Sequence, residues 1–186
     1  MPTGDKIFRK FLELWHAMPR EEGKIPFRRD VGPSLAPALM PHVFLGRVNG
    51  KFDIEIRLMG SALEDSTNFR LTGTNYFDQL HPSTWPFYER FIFAYRAQPC
   101  AGRVTRHVVG SDGLTYDLHT LAAPLADDDG TARYIMGVSY MATNHAKSAE
   151  RHVRGFGATG LGNAQIVDVR YLDLGFGVPP SLPPRE

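Results

Sequence analysis

Seven histidines, one cysteine and a scatter of arginines and tyrosines are the side chains in this 186-residue chain that could do chemistry. The histidines are His16, His42, His81, His107, His119, His145 and His152. None is spaced H-x-x-x-H or H-E-x-x-H, so no helix face offers two of them to a metal. Cys100 stands alone, which excludes an intrachain disulfide and any metal site built on cysteines. No metal site is expected. His107 and His119 fall on two segments that pair around a Ser111-Asp112-Gly113 turn. Counting outward from that turn sets 107 against 117 and 119 diagonal to 107. The two imidazoles could share one sheet face, or each could be a histidine with a single hydrogen bond. There is no Gly-x-Ser-x-Gly elbow and no phosphate loop. The glycines of Gly155-Phe-Gly-Ala-Thr-Gly160 have neither the preceding strand nor the following helix that a dinucleotide turn requires.

What remains is the chemistry of binding: an apolar cavity with a few polar groups. Trp85, Tyr88, Phe91 and Tyr95 share one face of a helical segment. Arg57 falls on the polar side of its strand by alternation. Either it pairs with Glu55, Asp53 or Asp117 and is structural, or one side of its fork is free and it anchors an anion. Tyr116, His119 and Tyr140 are further ligand-binding candidates, set against the alternative that all of these pack the core. Arg28-Arg29 and the pair Arg103/Arg106 read as solvated faces of a loop and a strand.

The elements that must position these residues are legible from periodicity. Ile7, Phe8, Phe11, Leu12, Leu14 and Trp15 have helical spacing within Asp5 to Met18, and Pro19 and Gly23 end that helix. Its stripe, Phe8, Phe11, Leu12 and Trp15, either covers the chain's own sheet or meets a copy of itself in a dimer. Four prolines make residues 23–41 irregular, with a short helix expected from Ser34 to Met40. His42 to Val48 is the first strand, and Asn49-Gly50 is the expected hairpin turn. Phe52, Ile54, Ile56 and Leu58 alternate with Asp53, Glu55 and Arg57 in the second strand. The chain then breaks at Gly60-Ser61 into a short helix, Ala62 to Asn68, and stops at Leu71-Thr72-Gly73. Asn75 to Leu80 gives a helical turn, and Ser83 to Gln98 a longer helix with Ser83 as N-cap and Pro86 in its first turn. Gly102 to Gly110, Leu114 to Leu125 and Arg133 to Met141 are three strands joined by turns too short for anything but antiparallel neighbours. Asn144 to Arg154 is weakly helical. Gln165 to Leu174 alternates and reads as a strand or a docking segment, and the proline-rich last ten residues read as disordered.

Composition is ordinary: 42% hydrophobic, 22% charged, net charge +1. That balance offers no field for nucleic acid or an anionic membrane. No apolar run is long enough to span a bilayer, and the N-terminus lacks a signal peptide's apolar core, so the cytoplasm is the expected compartment.

Two strands, short helices, one longer helix and a three-strand meander form the element order of a PAS domain. The chain resembles the PAS_5 family in particular. That family has a Trp ending its first helix, a Gly…Pro-x-Arg-x-Asp-x-x-Pro loop, a Leu-x-Pro entry to the first strand, an Arg-Leu-x-Gly-Ser-x-Leu strand-to-helix turn and a Leu-Thr-Gly stop. Here these correspond to Trp15, Gly23, Pro26, Arg28 or Arg29, Asp30, Pro33, Leu39, Pro41, Arg57, Leu58, Gly60, Ser61, Leu63, Leu71, Thr72 and Gly73, with Ala123-Pro124-Leu125 fitting the fourth strand. The resemblance covers about residues 7–141.

The resemblance implies an α+β fold: a five-stranded antiparallel sheet with short helices on one face and an N-terminal amphipathic helix. The expected divisions are an N-terminal helix (1–22), the PAS-like domain (23–141) and a partly disordered C-terminal extension (142–186). It implies a sensory or regulatory module that binds a small molecule or a signalling protein, and a homodimer through the first helix. Cys100 lacks the Asn-Cys-Arg-Phe setting of a flavin photosensor, and no histidine lies between Ser83 and Gln98 to hold haem. The cofactor is therefore left unknown. The 45 residues after the last strand leave no room for an output domain, so a signal is expected to leave through a partner or a dimer. The alternative is a small α+β-cone enzyme or carrier, which would place an Asp–His or Tyr–Asp pair inside the cavity.

Overall fold

A computed structural model describes residues 3–32, 36–67, 70–109, 115–143 and 164–183. Helix α1 spans Thr3–Ala17, followed by strands β1 (Val43–Gly50) and β2 (Asp53–Met59). Next come a short helix α2 (Ser61–Thr67) and the longer α3 (Trp85–Ala97). Strands β3 (Cys100–Val109), β4 (Thr115–Leu125), β5 (Tyr134–Thr143) and β6 (Gln165–Asp173) complete the chain. Single 3-10 turns at Arg28–Asp30, Met40–His42, Tyr76–Gln79 and Pro82–Thr84 fill the connections.

The strands form one antiparallel sheet in the order β2-β1-β5-β4-β3-β6. Alternation sends their side chains to two separate cores. On one face α1 packs Phe8, Phe11 and Trp15 against Leu121, Ala123, Met136 and Val138. Trp15 has no exposed surface, and its indole Nε1–H donates to the Pro124 carbonyl at 3.1 Å. On the other face α3 lays Phe87, Tyr88, Phe91, Ile92 and Tyr95 over Ile54, Val104, Ala122 and Ile135. Gly102 permits this close approach. A Cβ there would lie 2.6 Å from the Tyr95 ring and 2.8 Å from Phe91.

The sheet has six strands, not five. Gln165–Asp173 pairs with β3 along its whole length, which turns β3 from an edge into an interior strand. Val169 and Leu174 are buried, Tyr171 stacks on Phe91 at 5.2 Å, and Phe176 meets the edge of the Trp15 indole. The Asp173 carboxylate accepts from the backbone N–H groups of Gly175, Phe176 and Gly177, closing the turn after β6.

The first hairpin turns two residues later than Asn49-Gly50 suggests. Gly50 pairs with Asp53, so Lys51 and Phe52 form the turn, and Phe52 takes φ = +57°. A bulky residue in that region is strained. Tertiary contacts hold it there: the Phe52 ring lies 5.5 Å from both Phe77 and Trp85, and its N–H donates to the Glu89 carboxylate at 3.0 Å. Asn75 ties the same place down, accepting from Ile54 N–H and Phe77 N–H and donating to the Phe52 carbonyl.

The start of α3 differs in detail. Ser83 lies in the 3-10 turn, and its N–H is taken up by the His81 imidazole, while Thr84 flanks the helix without a side-chain cap. The helix expected over Ser34–Met40 falls partly on residues outside those described, and its described part is a turn leading into Met40–His42. The Ser111-Asp112-Gly113 turn, the segment 144–154 and the glycines of 155–160 lie outside the described residues. Residues 177–183 are described, as irregular chain without helix or strand.

Candidate functional site

A cavity of about 120 Å³ lies between the sheet and α3. Ile54, Ile56 and Ile135 line it from the sheet, and Phe91, Ile92 and Tyr95 from the helix. Half-buried Met59, Gln79 and Met141 stand among its walls, and Leu63 and Leu71 come from α2 and the segment after it.

Among the described residues, one charged side chain lines this apolar space. Arg106 is 3% exposed. Its Nε–H donates to the Tyr88 hydroxyl at 2.6 Å, Nη1 to Thr120 Oγ1 at 3.0 Å and Nη2 to the Tyr76 hydroxyl at 3.0 Å. Thr120 in turn shares a 2.9 Å bond with Ser139. The guanidinium also lies 5.1 Å from the centre of the Tyr88 ring. Burial pushes the Tyr76 phenol far above its ordinary pKa, against the pull of Arg106, and does the same to Tyr95. Those tyrosines therefore supply neutral oxygens. A guanidinium stays protonated in any protein environment, so the cavity carries a positive charge that none of its three hydroxyl acceptors cancels. Withdrawing such a charge from water costs several kcal/mol, about 20 in the idealised limit. Hydrogen bonds to a charged group each return only about 1.5–3 kcal/mol.

The ligand-binding candidates separate by strand face. Tyr88, Phe91 and Tyr95 line the cavity. Trp85 does not; it packs on Phe52 and Phe77. Arg57 is corrected: its side chain is 51% exposed, pairs with Glu55 at 2.7 Å and takes no part in the cavity. Tyr116 is on the cavity side of β4 by alternation but is not among the lining residues. His119 and Tyr140 lie on the opposite face, where their rings stack 4.8 Å apart. His119 is paired across from Thr105, at 3.1 Å between Nδ1 and Oγ1. His107 is paired with Asp117, 2.5 Å between Nδ1 and Oδ1, on that same face. The first-helix residues Phe8, Phe11, Leu12 and Trp15 all pack on the chain's own sheet.

Sequence reasoning missed Arg106, Tyr76, Thr120 and Ser139. Arg106 had been read as part of a solvated strand face. The signal was present: Val104, Arg106 and Val108 share one parity, and the two valines mark that parity as the core side. Tyr76 belongs to a 3-10 turn, where no periodicity predicts direction.

Cys100 is fully buried at the head of β3, and burial, with Asp173 nearby, pushes its thiol up to about 12. It is an inert core thiol rather than a nucleophile. Among the described residues no group of three His, Cys, Asp or Glu could hold a metal, and no helix is long and apolar enough to cross a membrane.

Comparison with known proteins agrees with the architecture. No curated protein matches the chain. A family model described as "PAS domain", PAS_5, matches residues 5–140, well over half of the sequence, and its end falls inside β5, before β6 begins. With that match, and an antiparallel sheet carrying short helices over one face, the chain belongs to the PAS_5 family of PAS domains.

Proposed function

We propose that this chain is a sensory or regulatory module whose signal is the occupancy of the cavity between the sheet and α3. The observation that carries the reading is the cavity itself. About 120 Å³ of space lies between the sheet and α3, partly open past Met59, Gln79 and Met141, with a charged group on its wall. Native interiors leave few voids larger than a water molecule, so a cavity of this size stands out against ordinary core packing.

The mechanism is a shift in population between packings of α3 and the short helices on the sheet. Arg106 is on β3, Tyr88 on α3 and Tyr76 in the preceding 3-10 turn. A molecule that competes for these bonds changes how both helical pieces sit. The change would leave through a partner protein or a second copy of the chain, by α1 on the far face of the sheet or by the β6 extension along its edge. Of the α1 stripe, Phe8, Phe11 and Trp15 are buried in the chain and Leu12 is half-buried, so a dimer would draw mainly on other surface.

The enzyme or carrier reading requires an Asp–His or Tyr–Asp pair in the cavity. The Asp117–His107 pair is on the opposite face, the one α1 packs on, and no carboxylate or imidazole is among the lining residues described. No observation favours that reading over a binding module.

The test is amide hydrogen exchange of the full chain with and without benzene, a neutral probe of the cavity's size. Slower exchange in α3 and residues 76–84, with a raised Tm, is the expected outcome. Exchange and Tm both unchanged at saturating benzene would overturn the reading.

A further inference from the structure

We infer that the cavity is built for a small organic monoanion: a monocarboxylate with an apolar body no larger than about a benzene ring, its carboxylate held by Arg106. The inference rests on the cavity being a ligand site and goes further by naming the class of ligand.

The first argument is charge. Arg106 is almost wholly buried, its three acceptors are hydroxyl oxygens, and no Asp or Glu is among the lining residues described. A buried cation is ordinarily paired. Here the pairing charge would come from the ligand.

The second argument is the balance of donors and acceptors. A guanidinium has five N–H groups. Three are engaged, one on each nitrogen, leaving one on each terminal nitrogen. Two is the number that a carboxylate accepts from Arg in a bidentate pair. The Tyr76 and Tyr88 hydroxyls accept from Arg106, so each keeps its own proton to donate. The guanidinium can only donate, and with the two phenol protons beside it this corner of the wall suits a group that only accepts; Gln79 and Ser139, the other polar side chains there, both donate and accept.

The third argument is what the rest of the cavity rejects. Ile54, Ile56, Ile92, Leu118 and Ile135 offer nothing to a second polar group. An amino acid's ammonium would find no carboxylate among the lining residues described, and a sugar's several hydroxyls would find only Gln79 and Ser139 beyond the Arg106 cluster. A phosphate monoester carries up to two negative charges against a single guanidinium. The volume sets the body. A cavity of roughly 150 Å³ takes up benzene, and this one is about 120 Å³.

Titration calorimetry on the full chain at pH 7.5 tests this, with benzoate against benzamide, butyrate against butyramide, and phenyl phosphate and 2-aminobutyrate as further arms. The expected result is that each carboxylate binds at least tenfold tighter than its amide, with the phosphate ester and the zwitterion weaker than both carboxylates. In Arg106→Leu the preference disappears while benzene still binds. Tyr76→Phe, which removes one donor and leaves the guanidinium, weakens benzoate but not benzamide. Amides binding as tightly as carboxylates would overturn the inference and leave the cavity reading standing. So would an Arg106→Leu protein that kept the preference, or phenyl phosphate binding more tightly than benzoate. If neither benzoate, benzamide nor benzene binds the wild-type chain, the cavity reading falls and the inference with it.

Discussion

Arg106 Nε donates to the Tyr88 hydroxyl at 2.6 Å, and that bond joins β3 to α3 at the wall of the cavity. It is the shortest of the three bonds that hold the guanidinium, and it reaches the helix that forms the cavity's lid.

Removing only the acceptor tests that link. Tyr88→Phe keeps the ring, with its edge contact to Phe87 at 5.2 Å, and orphans a charged N–H in the core. We expect a loss of about 1–3 kcal/mol in urea unfolding. In an Arg106→Leu background the same substitution should cost far less, because the group it orphans is gone. Equal costs in both backgrounds would show that the hydroxyl stabilises α3 without the arginine.

Gly102 controls how near α3 comes. Gly102→Ala puts a methyl group 2.6 Å from the Tyr95 ring, so the helix must shift or the ring must leave its place. Overpacking of this kind costs about 1–3 kcal/mol, and the shift should also lower affinity for any cavity ligand. Gly50→Ala is the control, because a Cβ there meets nothing within 4 Å. Thermal unfolding of the two variants side by side decides the matter: a Gly102→Ala protein as stable as Gly50→Ala would mean that helix and strand are not in tight contact.

Much of this architecture could be read from period and punctuation. Alternation in Phe52–Leu58 marked β2, and the register count outward from residue 112 set His107 against Asp117, as observed. Where the reading failed, long-range contacts had overridden local ones. Asn-Gly is a strong turn former, but the Phe52 ring, Glu89 and Asn75 fix the turn two residues on. Gln165–Asp173 alternates like a strand, yet nothing within it names β3 as its neighbour. For the site, arginine's usual place at the surface weighed more than the parity it shares with Val104 and Val108. Arg57, chosen instead, has a carboxylate two residues away on its own strand face.

Trp15 tests what α1 is for. Trp15→Phe keeps an aromatic in the same core and leaves the Pro124 carbonyl without its 3.1 Å donor, at a cost of about 1–3 kcal/mol. Trp15→Ala should cost about 3–5 kcal/mol. Sedimentation of both variants separates the two roles of the stripe. A helix that serves the chain's own sheet loses unfolding free energy with no change in assembly. A shift in assembly at unchanged stability would give the stripe to a contact between copies.

Cys100 supplies a prediction with a sign. Its thiol is buried in the core beneath α3, in the same cluster as Tyr95 and Val169 of β6, and its pKa is pushed up to about 12, chiefly by burial and further by Asp173. In the unfolded chain a thiol titrates near roughly 8.5. Below that pH both states hold the proton and the thiol's contribution is fully present. As pH rises toward 12 only the unfolded state releases the proton, so stability is lost. Urea unfolding of the wild type should therefore weaken more steeply between pH 8 and pH 11 than that of Cys100→Ala. The raised phenols of Tyr76, Tyr95 and Tyr171 remain in both proteins, and since Cys100 helps to raise those of Tyr95 and Tyr171, the difference reads the thiol together with that coupling. The same burial makes Cys100 a reporter of that packing. A thiol reagent at pH 8 should label the native chain only as fast as the packing opens, and at once when urea is added. Immediate labelling of the native protein would mean that the cover of Cys100, made by α3 and β6 together, does not stay on the sheet.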